Sequence, residues 1–191
     1  KIDQANFYLD FIDSNINIPI IYLNKSKGDF GNLTFKLNNI LENKLRLEHL
    51  KIDTESFFAN GMLEIDAENN LTRGDFSKIQ FFGNDFSLSV RPRKPNGYII
   101  AINGKRVNLE PFIDSFFKSS DYNLPALKVS ARVKEMRLGS SRTLNDAIGE
   151  LFYDSEKINS LNAKGLINAQ YPFKFNMLTL DSGERELIIL S

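Results

Sequence analysis

A single histidine, His49, stands in Leu45-Arg46-Leu47-Glu48-His49, in phase with the apolar side of that run. An imidazole can ligate a metal or act as a general base. The chain has no cysteine and no second histidine to complete such a site, so a strand histidine at an edge or in a polar gap is the better reading. Asp13, Asp53, Asp66, Asp75 and Asp85 supply carboxylates. Paired carboxylates run glycoside hydrolysis, but aspartate is also a default turn residue, and these five are scattered at expected turns. No serine sits in a nucleophile elbow, and no Gly-Lys-Ser/Thr phosphate loop is present. Asn24, Asn32 and Asn70 open glycosylation sequons, which an asparagine-rich chain produces by chance. Arg91-Pro92-Arg93-Lys94-Pro95 could touch phosphate groups and reads first as a solvated hairpin loop. These residues give no reason to expect catalysis, a metal or a cofactor, and the chain is expected not to be an enzyme.

The elements that would position any site are strands. Leu33, Phe35 and Leu37 alternate with Thr34, Lys36 and Asn38, and Phe86, Leu88 and Val90 alternate with Ser87, Ser89 and Arg91. Leu127, Val129, Ala131 and Val133 alternate with Lys128, Ser130, Arg132 and Lys134. Successive side chains of a strand point to opposite faces, so each run is apolar on one face and polar on the other. Strands are expected at about 33–39, 44–52, 57–66, 75–82, 85–91, 97–103, 126–138, 147–153, 157–169, 172–180 and 186–191. Turn signals lie at Asn38-Asn39, Asn60-Gly61, Asn69-Asn70, Gly83-Asn84, 92–97 and 139–145. Pro19 interrupts the apolar run 16–23 and belongs at an edge or a strand start.

One segment breaks the pattern. Asn108 can cap a helix, Glu110 and Pro111 suit its first turn, and Phe112, Ile113, Phe116 and Phe117 fall at helical spacing. The expected fold is therefore mainly β: a long twisted antiparallel meander with one short amphipathic helix at 108–119. Strands every 8 to 12 residues without alternating helices exclude a parallel α/β sheet. Phe57-Phe58-Ala59-Asn60-Gly61-Met62-Leu63 is weakly echoed by Leu161-Asn162-Ala163-Lys164-Gly165-Leu166-Ile167, as a repeating sheet unit would produce.

Composition narrows the partners. The 191 residues carry 24 basic and 24 acidic side chains, which argues against a nucleic-acid surface. The absence of cysteine fits periplasm and cytosol alike. There are 16 Phe, 6 Tyr and no Trp; phenylalanine has no polar handle and suits dry surfaces. No run is long enough to span a bilayer as a helix. The start at Lys1 and the apolar run Leu187 to Leu190 at the end suggest a piece of a longer protein. Alternation alone leaves two uses for the apolar face open: a core buried between two sheets, or a groove for an apolar ligand.

Three stretches resemble the AsmA-like family of bacterial envelope proteins, in its large periplasm-spanning branch. Leu45 to Ile65, LRLEHLKIDTESFFANGMLEI, is similar to a strand–strand unit ending in "A-x-G-x-L-x-I". Phe76 to Ile113 resembles two strands, a loop and a strand running into a Gly and a "hydrophobic-x-L-x-P-hydrophobic" helix start. Leu138 to Gly165, followed by Gly183-Glu184-Arg185-Glu186-Leu187, resembles the segment before the family's C-terminal module. Residues 1–30 match nothing.

The resemblance implies a long β-sheet curved into a hydrophobic groove. It also implies a periplasmic location, tethered to the inner membrane by a segment outside this chain. The implied role is phospholipid transfer between inner and outer membrane in support of envelope integrity, with no enzymatic residues and no cofactor. On that reading residues 1–191 form one continuous groove segment, with sheet portions at 1–107 and 121–191 around a helix at 108–120. The expected lining residues are Leu33, Phe35, Leu37, Leu45, Leu47, Leu63, Ile65, Phe86, Leu88, Val90, Ile100, Ile102, Val129, Ala131 and Val133. One unseen bulge would turn every later residue of this set to the other face. The alternatives are a structural or adhesive β-sandwich with a closed core, and a carbohydrate-active enzyme using the scattered aspartates.

Overall fold

The computed structural model describes residues 4–18, 23–40, 44–110, 125–139 and 142–191. The chain divides after Arg91 into two compact units, Lys1–Arg91 and Pro92–Ser191. The first unit holds β1 (Gln4–Asp10), β2 (Ile16–Ile18), β3 (Leu23–Lys25), β4 (Gly31–Ile40), β5 (Lys44–Thr54), β6 (Phe57–Ile65), β7 (Leu71–Phe81) and most of β8 (Asn84–Arg93). The second holds β9 (Gly97–Asn108), β10 (Ala126–Gly139), β11 (Arg142–Tyr153), β12 (Ile158–Ile167), β13 (Tyr171–Thr179) and β14 (Arg185–Leu190).

Twelve strands form one sheet in the order β1-β4-β5-β6-β7-β8-β9-β10-β11-β12-β13-β14. It is open, because β1 and β14 stand at its two ends. Residues 11–30, where the sequence carries no sustained alternation, leave the meander. Within them β2 and β3 pair as a separate two-stranded antiparallel sheet.

The strands follow the alternation, and the turns depart from it in instructive places. Asn60-Gly61 is not a turn but lies inside β6, beside a register shift against β7. Asn38-Asn39 likewise stays within β4. The β7–β8 turn is made by Phe82 and Gly83, at φ 44 and 80, rather than by Gly83-Asn84. Two positive φ angles in succession match the twist of a tight hairpin. β11 already begins at Arg142, inside the expected break at 139–145. The expected position of Pro19 lies outside the described residues.

β9 and β10 depart from antiparallel pairing: they run parallel, in register from Ala126 opposite Gly97 to Arg137 opposite Asn108. A tight hairpin cannot join parallel strands, which need a crossover of about a dozen residues or more. Residues 109–125 supply it. The helix expected at 108–119 falls almost wholly on this crossover, and 111–124 lie outside the described residues. Of the expected segment only 108–110 are described: Asn108 ends β9, and its Oδ1 accepts a hydrogen bond from the Glu110 N–H at 3.2 Å.

Candidate functional site

Residues directly opposite one another in a ladder share a face, so the registers assign every candidate. In the first unit Leu9, Leu33, Ile52, Ala59, Ile79 and Phe86 stand opposite one another in one row across six strands. A second row is Ala5, Leu37, Leu47, Leu63, Gly74 and Val90. Phe35 stacks on Phe7 with ring centroids 4.8 Å apart. Leu45 faces Ile65, and Leu88 faces Phe76. Leu33, Phe35, Leu37, Leu45, Leu47, Leu63, Ile65, Phe86, Leu88 and Val90 therefore share one face.

That agreement survives several bulges because the apolar pattern shifts phase with them. Between Leu47 and Leu50, β5 places one more residue than its partner strands do, and His49 sits in this bulge at φ 52. His49 is thus exposed and out of phase with the apolar side, contrary to the sequence expectation. The same device lies between Phe76 and Ile79 in β7. In both cases the apolar residues on either side of the bulge are three apart instead of two and return to the same face.

The second unit follows the same logic. Ile100, Val129, Leu151, Leu161, Met177 and Leu187 make one row; Ile102, Ala131, Gly149, Ala163, Phe175 and Ile189 make the next. Val133 is opposite Gly104 and Ala147 and is buried. Ile100, Ile102, Val129, Ala131 and Val133 therefore share one face within this unit. A bulge around Asp146, at φ 48, lets Leu144 and Ala147, both fully buried, point to that same face. Sequence reasoning missed Leu50, Ile52, Ile79, Met136, Leu144 and Met177. The signal for the bulged ones is the three-residue apolar spacing inside a strand, at Leu47–Leu50, Phe76–Ile79 and Leu144–Ala147.

The glycines of the internal echo have related work. A Cβ on Gly61 would lie 2.3 Å from the Asp75 carbonyl oxygen, and one on Gly165 would lie 2.6 Å from that of Asn145. Each glycine sits where a neighbouring strand bulges toward it.

The opposite face of the first unit is polar and tied by ion pairs. Arg46 reaches Glu64 at 2.6 Å and Glu48 at 3.4 Å; Asp75 accepts from Arg73 at 2.6 Å and Arg91 at 2.7 Å. Partial burial pushes the Asp75 carboxyl up, but hydrogen bonds from Arg73 and Arg91 and their charges outweigh it and hold it below the usual carboxylate range. Lys51 and Lys78 both lie over the Phe58 ring, which gives this polar-side aromatic a cationic cover.

The aspartates do not converge. Asp66 accepts backbone N–H bonds from Asn70 and Glu68, and chiefly the Asn70 bond lowers its pKa, so it is a turn former. Asp75 is a mid-strand ion-pair partner rather than a turn residue. Asp53 pairs with Lys51 in β5. Among the described residues no group of three or more His, Cys, Asp or Glu side chains could hold a metal.

The apolar face of the first unit has two regions. Over one lies the β2–β3 pair: Leu23 is buried against Phe57, Ala59 and Ile79, with Ile16, Ile52, Phe76, Phe81, Phe86 and Leu88 packed around them. Lys25, also buried, lays its stem where a Cβ on Gly31 would stand, and its Nζ donates to the Ser14 and Ser26 carbonyls at 3.1 Å each. Phe86 and Leu88, expected as lining, belong to this covered cluster. Phe7, Leu37, Leu45, Leu47, Leu63, Ile65 and Val90 are not part of that cluster and are half-buried or exposed, while Leu50, also on this face and outside the cluster, is buried.

Comparison of the chain with models of known protein families, with curated proteins and with solved structures finds no match. Among the described residues no helix is long and apolar enough to cross a membrane.

Proposed function

We propose that this chain is a segment of a periplasmic lipid-transfer bridge that carries phospholipid acyl chains along an apolar sheet face between inner and outer membrane. The observation that carries the reading is the register. Across its bulges, it gathers all ten candidates of the first unit on one face and all five of the second on one face, while ion pairs cover the reverse of the first. The resemblance to AsmA-like proteins supports the same role, with a tether to the inner membrane supplied from outside these residues. Each methylene moved from water onto such a face contributes about 0.8 kcal/mol, so an acyl chain needs no polar pocket and its head group can stay in water.

The experiment is site-specific photo-crosslinking in the full-length protein in cells. A photoreactive residue at Leu63, in the uncovered region, is expected to capture phospholipid, and one at Met62, on the reverse face, is not. Equal capture at both positions, or none at Leu63, would end the lipid reading. A second reading has one observation in its favour: the cluster beneath Leu23 is a sealed core, as a structural β-domain would have. That reading expects the rest of the face to be sealed as well, by a protein partner, with no lipid captured at Leu63.

A further inference from the structure

On the second unit, the face opposite Val129 and Ala131 carries a row that reads Arg132, Ile148, Lys164, Lys174 and Leu190 across five strands. Lys164 and Lys174 stand directly opposite each other. Like charges in that position oppose folding unless something compensates them. Several strand cations hold carboxylates, Arg46, Lys51, Arg73, Arg91, Arg106 and Arg137 among them. Among the described residues neither Lys164, Lys174 nor Arg132 has an ion pair, and Glu150 stands one row away. The two lysines border a shallow depression of about 470 Å³ whose other walls include Ile148, Leu166, Pro172 and Leu190, with Asp146 as its carboxylate. Leu178, Ile188 and Leu190 on the same face are each 47 to 57% exposed. Over its whole length this unit has more basic than acidic residues, 14 against 11.

We infer that this face of the second unit docks on an anionic bilayer surface, with Lys164 and Lys174 meeting lipid phosphates and the apolar side chains entering the headgroup boundary. Unpaired cations beside exposed aliphatic side chains are the combination that an anionic interface rewards twice, by charge and by apolar burial. A soluble acidic partner would use the charge alone. The inference is independent of the acyl-chain reading, because it concerns the opposite face of this unit.

The test is vesicle flotation of the chain at fixed ionic strength. The vesicles are phosphatidylcholine alone or phosphatidylcholine with about 30 mol % phosphatidylglycerol. Binding is expected only to the anionic vesicles. Each lysine near an anionic leaflet strengthens binding about fivefold, so Lys164→Gln with Lys174→Gln should weaken it about thirtyfold, and Lys→Arg at both sites should restore it. Asp146→Asn, which keeps a residue tolerant of positive φ, removes the carboxylate and should strengthen binding, and it serves if the double variant misfolds. Three results would each overturn the inference: equal binding to both vesicle types, no loss in the glutamine variant with no gain in Asp146→Asn, or full displacement by about 10 mM inorganic phosphate at constant ionic strength, which would mark a site for a free anion.

Discussion

Under the β2–β3 pair, the apolar face of the first unit is a protein core; a few residues further along the same strands it is not. Ala59 is 2% exposed and Leu45, on the neighbouring strand, is 40% exposed, although both belong to one face by register. The difference comes from sequence far away. The excursion 11–30 leaves β1 and lays Leu23 and Lys25 over Phe57, Ala59, Ile79 and Gly31 before returning to β4. Apolar alternation in a strand therefore marks a face that needs covering, and only the rest of the chain, or a ligand, decides what covers it.

The largest expected effect lies in the covered region. Ile79 is 7% exposed beneath Leu23, and Ile79→Ala should destabilise the protein by about 2 to 5 kcal/mol, the range for deleting a buried aliphatic side chain. Urea denaturation measures it. A loss below about 1 kcal/mol would mean that the β2–β3 pair is not packed on the sheet and that the two regions do not differ.

Gly61→Ala comes next. The new methyl would meet backbone, the Asp75 carbonyl and the Phe76 Cα, which cannot swing aside as a side chain can. A loss of about 1 to 3 kcal/mol is expected. Gly149→Ala, whose Cβ would meet only the Asn162 carbonyl oxygen at 3.5 Å, should cost much less. Parity between the two substitutions would show that the bulge opposite Gly61 is not the constraint.

Much of this was legible in the sequence, and the exceptions share a cause. Alternation located every sheet strand from β4 to β14 with ends no more than five residues out, and within each unit the candidates lie on one face. Register did not follow from it, because the bulges at His49, Ser77 and Asp146 are decided by pairs of strands. Their only local trace is an apolar spacing of three. The parallel pairing of β9 with β10 was hidden because alternation is identical for parallel and antiparallel strands, and because the crossover read as a helix between two meanders. The β2–β3 cover was hidden for a third reason. β2 and β3 are three residues each, too short for periodicity to show, and Leu23 acts through contacts more than thirty residues away in sequence.

The polar reverse face offers a smaller test. Asp75 is held below the usual carboxylate range in the folded protein, so it stabilises the fold above that range, near pH 4, and the contribution is lost as pH falls through its lowered value. Asp75→Asn should flatten the acid limb of stability against pH while changing stability at pH 7 by less than about 1 kcal/mol, because the pair is partly solvated. An unchanged acid limb would mean that Arg73 and Arg91 do not hold the carboxylate in solution.

The smallest expected effect on stability is the one that separates the two regions by function. Leu45 lies opposite Ile65 in the uncovered region, already 40% exposed, so Leu45→Ala removes few contacts and should cost less than about 1 kcal/mol. If the region is a track for acyl chains, the same substitution narrows the apolar strip that Leu45, Ile65 and Leu71 form across three strands. Phospholipid capture at Leu63 should then fall while the urea midpoint stays almost unchanged. Ile79→Ala compared with wild type in mild conditions, where both are folded, should show the reverse: a lowered midpoint with capture at Leu63 intact. A Leu45→Ala variant that loses stability on the scale of Ile79→Ala would place Leu45 in a sealed core and remove the distinction between the two regions.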